Sequence, residues 1–312
     1  AVAYVQFVER RIMARMQARI GPNRVGPLGL LQPVADIVKL IFKEDLTPAG
    51  ADKAVYHLAP ALAAITALAA FAVLPFGQTL DVAGLKVNLF IADINIGVLY
   101  LLGMSSLAVY GVVLAGWSSN NKYSLLGGIR ASAQMISYEL PLGLALVGAL
   151  LISGSLSLGD IVRAQSNLWF IVLQPLGFII YFICAIAETN RAPFDLPEAE
   201  TELIAGYHTE YSSMKWALFF LAEYGAVIIV SCIAVTVYFG GWQGPGVEQF
   251  PILGAVWFVL KLAVFIFVFT WMRATLPRLR YDKLMQFGWK VLMPLAILNL
   301  VVTAGIVAVI SH

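Results

Sequence analysis

The chain has 312 residues, 60% of them hydrophobic and only 12% charged. A soluble domain carries about a quarter charged residues, so this composition belongs to a membrane protein. A formal net charge of +2 without long basic runs excludes a nucleic-acid surface or a polybasic lipid-binding tail.

The first eight residues, AVAYVQFV, run straight into Glu9, Arg10 and Arg11. They read as the last two turns of a helix whose beginning is missing. A Gly/Pro-rich turn, GPNRVGPLG, follows, and then PVADIVKLIFKED, which places Val34, Ile37, Val38 and Ile41 on one helical face with Asp36, Lys39 and Lys43 elsewhere. That helix is too short to span a membrane and is expected to lie in its plane. It either covers the bundle or roofs an opening through which an amphiphile enters from the bilayer.

A bilayer core of about 30 Å needs about 20 apolar residues as helix. The runs near 54–76, 94–117, 135–157, 168–188, 215–239, 252–272 and 289–310 meet that length. With the truncated first helix they make an all-α membrane protein, an eight-helix transmembrane bundle formed by a single domain over residues 1–312. Segments 9–53, 118–134, 189–215 and 273–290 hold 17 of the 20 Lys and Arg residues, while the alternate loops hold only Lys86 and Arg163. The positive-inside rule therefore puts the rich segments on the cytoplasmic side or its organellar equivalent, with both ends of the chain opposite. Neither a fixed-period repeat nor a matched pair of broken helices marks an inverted-repeat transporter.

Glu139, Glu188, Glu223 and Lys261 fall in or at the ends of these spans. Near a helix centre each costs on the order of 2.5–3.5 kcal/mol to insert, so each needs a partner, water or a function. Either Lys261 neutralises a glutamate and fixes two helices in register, or it joins the carboxylates as a proton-coupling residue along a proton path. Beyond Glu188 come Asp195, Glu198, Glu200, Glu202 and Glu210. Glu198 and Glu202 stand at i and i+4, where like charges disfavour a helix unless cations, water or shared protons relieve them. Read alone, this cluster is a solvated acidic surface; adjoining Glu188 and Glu223, it extends a polar route from the loop into the bundle.

No GxGxxG, Walker, HExxH or GxSxG sequence is present, the three histidines are scattered, and Cys184 and Cys232 form no CxxC pair. No nucleotide, flavin or metal is therefore expected on this chain. If it takes part in redox chemistry, the electron carriers belong to partners.

The strings VERRIMARMQARIGPNRVGPLGLLQPVAD, GWSSNNKYSLLGGIRASAQMISYELPLGL, AETNRAPFDLPEAETELIAGYHTEYSSMKWALFFLAEY and RATLPRLRYD resemble the H-type subunits of NADH-quinone oxidoreductase, a family called NADH dehydrogenase subunit 1 in mitochondria. The resemblance covers essentially the whole chain. It implies a subunit of respiratory complex I, placed in a bacterial inner membrane between the peripheral-arm quinone-module subunits and small membrane-arm subunits. It also implies a quinone substrate, with NADH, FMN and iron-sulfur clusters carried by partner subunits and no catalytic residue here. Arg10, Asp36, Lys39, Arg191, Glu200 and Trp216 match residues lining the family's quinone chamber. Glu139, Glu188 and Glu223 match its buried carboxylates, and Asp195, Glu198 and Glu202 link these to the chamber. Membrane-bound nickel-iron hydrogenases have a subunit similar to this family, and a free-standing proton-coupled transporter is a further reading of the same carboxylates.

Overall fold

The computed structural model describes residues 2–82, 85–195 and 205–310. The chain begins with α1, Val2–Met16, and passes through the glycine turn into α2, Gln32–Phe42. Gly29 holds that turn at a φ of 76°, where a Cβ would lie 2.3 Å from the Pro22 carbonyl oxygen. Only glycine is accommodated there. Pro33 opens α2, which displays its apolar face as expected: Val34, Ile37, Val38 and Ile41 are 46–55% exposed and touched by little of their own chain.

After α2 come α3 (Lys53–Phe71), a small hairpin pairing β1 (Leu80–Val82) with β2 (Leu85–Val87), then α4 (Gly97–Ser118) and α5 (Lys122–Ser153). The Asp52 carboxylate caps α3 by accepting from the amides of Ala54 and Val55, and Asn121 caps α5 through the Tyr123 amide. With that cap, α5 begins about three turns before the apolar run, so the segment 118–134 is largely helix. Short α6 (Leu158–Ala164) and α7 (Phe170–Leu173) lead into α8 (Pro175–Glu188), followed by α9 (Ser213–Tyr238), α10 (Ile252–Thr275), α11 (Tyr281–Phe287) and, across one π-helical turn, α12 (Met293–Ile310).

Among the described residues, α3, α4, α5, α9, α10 and the stretch Tyr281–Ile310 are long and apolar enough to cross a membrane. With the shorter α1 and α8 they form the expected helical bundle. The run 168–188 is not one helix, because Pro175 supplies no N–H and pushes the residue before it out of the helical region. Gln174 sits at φ −130°, ψ 52°; its side chain donates to Thr303 Oγ1 (2.6 Å) and accepts from Asn299 Nδ2 (2.9 Å), both on α12. The Gln174 side-chain amide at the break is thereby held to α12.

The most buried span is α9, packed against α1, α3, α8 and α10, while α5 joins α4, α8 and α12. A turn at Gly206–His208 docks on α5 where Gly127 meets Gly206 backbone to backbone; a Cβ on Gly127 would come within 2.7 Å of the Gly206 Cα. Gly127→Ala is expected to cost about 1–3 kcal/mol by overpacking. A lower melting temperature of the purified assembly checks this, with Gly143→Ala, where a Cβ meets open space, as the unaffected control.

Candidate functional site

Where α8 ends, the chain turns inward instead of leaving the bundle. Gln134 of α5 holds this turn, its amide donating to the carbonyls of Ala187 (2.8 Å) and Phe194 (2.9 Å). Arg191 is thereby buried at 7% exposure, inside a set of charges drawn from three helices. Its Nη1 donates to both carboxylate oxygens of Glu9 on α1, at 2.9 and 2.8 Å, and its Nε lies 2.6 Å from Glu223 Oε1 on α9. Arg273 of α10 pairs with the same Glu9, and the Tyr224 ring lies 4.0 Å from the Arg191 guanidinium carbon. Two glutamates and two arginines balance. Burial works against the Arg191 charge, but Glu223 and then Glu9 outweigh it and push its pKa up, so the guanidinium stays charged. Just beyond, Asp195 pairs with Arg278 at 3.1 Å; burial, the larger effect, raises its carboxyl above the usual range despite Arg278 and Arg273.

These charges floor a cavity of about 90 Å³ lined by Arg191, Tyr207, His208, Trp216, Phe219, Phe220, Glu223 and Arg273. That is room for a few waters, below the roughly 300 Å³ of a ligand-sized cleft. A second cavity, of about 80 Å³, lies one helical turn away along α9, where Ala222 and Ala226 line it with Ser105, Glu139 and Glu188. Ser105 donates to Glu139 Oε1 at 3.3 Å and Ser106 donates to the same oxygen. Apart from Thr66, the remaining lining is apolar and rich in alanine.

Arg191, Trp216 and Glu223 thus meet at one cavity, and Glu139 and Glu188 at the next. Arg10 and Asp36 pair with each other at 2.8 Å, tying α1 to α2 at the edge of the site, and Lys39 is exposed on α2. Glu198, Glu200 and Glu202 lie outside the described residues. Among the described residues Lys261 meets no carboxylate: its Nζ donates to the carbonyls of Phe239 (2.7 Å), Gly241 (3.0 Å) and Gln243 (2.7 Å), with the Trp169 ring 4.5 Å away. Sequence reasoning missed Glu9 and Arg273. The one local signal was a carboxylate next to two arginines on an otherwise apolar helix.

Another clamp fixes α2 to the start of α9. Lys215 pairs with Asp45 at 3.0 Å and donates to Thr47, while Ser213 donates to the Leu40 carbonyl. Among the described residues no three His, Cys, Asp or Glu side chains are placed to hold a metal ion.

The spans and the ionisable groups enclosed by them define an integral helical membrane protein with a cluster of charged side chains inside the bundle. The NADH dehydrogenase family matches residues 1–304, and the chain belongs to it. Similar proteins include the H-type NADH-quinone oxidoreductase subunit of Protochlamydia amoebophila, 60% identical over 97% of this chain and 92% of that one. One of the same type from Geobacter metallireducens is 57% identical over 97% and 91%. That of Thermomicrobium roseum is 53% identical over 97% and 90%.

Two outcomes follow from the charges at the site. Glu9→Gln leaves Arg191 and Arg273 facing one another without their shared carboxylate, a loss expected to cost about 3–5 kcal/mol. Reduced yield and thermal stability of the membrane-extracted protein measure it. Burial lowers the His208 pKa from 6.5 to about 4. The unfolded chain therefore binds a proton that the folded chain refuses between those values, and this contribution to stability is complete above pH 6.5 and lost as pH falls towards 4. Melting curves against pH should show the acid-side loss diminished in His208→Gln.

Proposed function

We propose that this chain is the membrane subunit of a proton-pumping NADH:quinone oxidoreductase, where it walls the quinone-access chamber and passes the effect of quinone reduction to buried carboxylates. The observation that carries this reading is the Glu9–Arg191–Glu223–Arg273 cluster, which floors the Trp216 cavity one turn of α9 from the Glu139–Glu188 cavity. NADH, flavin and iron-sulfur clusters reside on partner subunits, which complete the chamber; quinone is the substrate. The exposed apolar face of α2 suits an in-plane helix beside an opening to the bilayer.

Reduction of a quinone takes two electrons from the partner and two protons. In a poorly solvated chamber, negative charge arriving on the ring acts strongly on Arg191 and Asp195. A guanidinium drawn towards that charge loosens its hold on Glu223. Glu223, Glu188 and Glu139 form a coupled set, so charge gained at the chamber is felt in the second cavity without a single switch residue. Glu198, Glu200 and Glu202 extend the set towards the chamber. The enzyme belongs to a bacterial inner membrane, with the arginine-rich loops on the cytoplasmic side and both ends of the chain outside.

Glu223→Gln is expected to lower coupled NADH:quinone turnover at least tenfold in a fully assembled enzyme, whereas Arg191→Ala and Asp195→Asn raise the apparent KM for quinone as well as lowering the rate. Steady-state kinetics on the purified complex with a water-soluble quinone decide this. Wild-type coupled turnover in assembled Glu223→Gln refutes the relay, and unchanged quinone kinetics in the other two refute the chamber.

A further inference from the structure

The helix α2 is fastened at both ends and bare between them. At its start Asp36 pairs with Arg10 of α1 at 2.8 Å and accepts from Gln32 at 2.9 Å. At its end, residues 40–47 are fixed to the head of α9. Ser213 donates to the Leu40 carbonyl at 2.9 Å, and the Ser212 hydroxyl donates to the Glu44 carbonyl (3.1 Å) while accepting from the Leu46 amide (3.0 Å). Ser213 opens α9 at a φ of 56°, a left-handed conformation that a serine keeps only where its surroundings hold it. Between the two ends the apolar side chains of α2 stay exposed.

The charged member of this fastening is Lys215. It is buried, and its ammonium lies 4.9 Å from the centre of the Tyr56 ring on α3. Tyr56 is itself fully buried, stacked on Tyr211 at 4.1 Å and donating to the Glu210 carbonyl at 2.7 Å. Lys215 is therefore seated on the bundle, and from that seat it reaches Asp45 (3.0 Å) and Thr47 (2.9 Å) on the tail of α2. One residue further on, Trp216 begins a ladder of rings along one face of α9. Trp216, Phe220 and Tyr224 follow at i, i+4 and i+8, with centroids 4.9 and 4.5 Å apart, and Tyr224 lies against the Arg191 guanidinium. The contact that holds the tail of α2 thus stands at the head of the rings that lead to the charged cavity.

We propose that Lys215 is a positioning residue for quinone entry: it holds the tail of α2 against the head of α9 at the spacing that admits a quinone with a long apolar tail to the Trp216 cavity. The helices α1, α2 and α9 each pack against the other two, so a tail passing beside α2 is sensitive to their spacing, whereas a quinone ring without a tail is not. The proposal rests on the reading of α2 as the helix beside the opening. Two measurements on the complete enzyme test it. In lipid nanodiscs without NADH or quinone, Lys215→Met, which keeps the stem and removes the charge, is expected to raise amide hydrogen exchange over residues 38–47 about tenfold, the weight of one charge-assisted hydrogen bond. In steady state the same variant is expected to raise the apparent KM for a decyl-tailed quinone about tenfold, with kcat retained and the KM for a tail-free quinone unchanged. Lys215→Arg restores both readouts, and Asp45→Asn, at the exposed end of the pair, moves them in the same direction as Lys215→Met. Unchanged exchange over residues 38–47 overturns the fastening. Raised exchange with a wild-type KM for the tailed quinone overturns the positioning role, as does an equal change for both quinones, a fall in kcat, or failure of both Lys215→Met and Asp45→Asn to assemble. The kinetics of Arg191→Ala and Asp195→Asn report separately on the chamber.

Discussion

Arg191 is the group on which this structure turns. A guanidinium taken out of water is costly, and the cost is offset only when carboxylates are held against it in good geometry. Glu9 and Glu223 do that from α1 and α9, and Arg273 from α10 balances the charge they bring. Three membrane helices and the inward turn after α8 are thereby fixed to one point. Lipid offers no hydrophobic drive to bring helices together, so packing and polar contacts of this kind set their arrangement.

A cluster so balanced is sensitive to charge that arrives beside it. Its groups share partners, so removal or addition of one charge is felt by all four, and α9 also lines the cavity around Glu139 and Glu188. The alanines of that cavity leave space beside Glu139 and Glu188, with Thr66 and Ser105 the other polar side chains in its lining. At the other end of α9 the chemistry is reversed: Lys261 is surrounded by peptide oxygens that do not titrate.

The spans were legible in the sequence because the bilayer imposes one length on every apolar run, and the amphipathic face of α2 because its period is local. The broken helix at Gln174–Pro175 was present in the letters but hidden by an average over twenty residues. Glu9 and Arg273 escaped notice because their pairing joins positions 264 residues apart, which no spacing rule reaches. Lys261 was legible as a buried cation and illegible in its partners, since backbone carbonyls carry no sequence signature. Trp216 and Arg191 came from family resemblance, and the folded chain brings them to the same cavity.

The polar break before α8 bears on the order in which the chain is made. Gln174 finds Asn299 and Thr303 only when α12 exists, 125 and 129 residues later. At about 5–20 residues per second, ribosomal synthesis separates the two by roughly 6–25 s. Throughout that interval α8, about 21 Å of helix, sits in the membrane with an unsatisfied amide at its head, and the last span to emerge is the one that completes it.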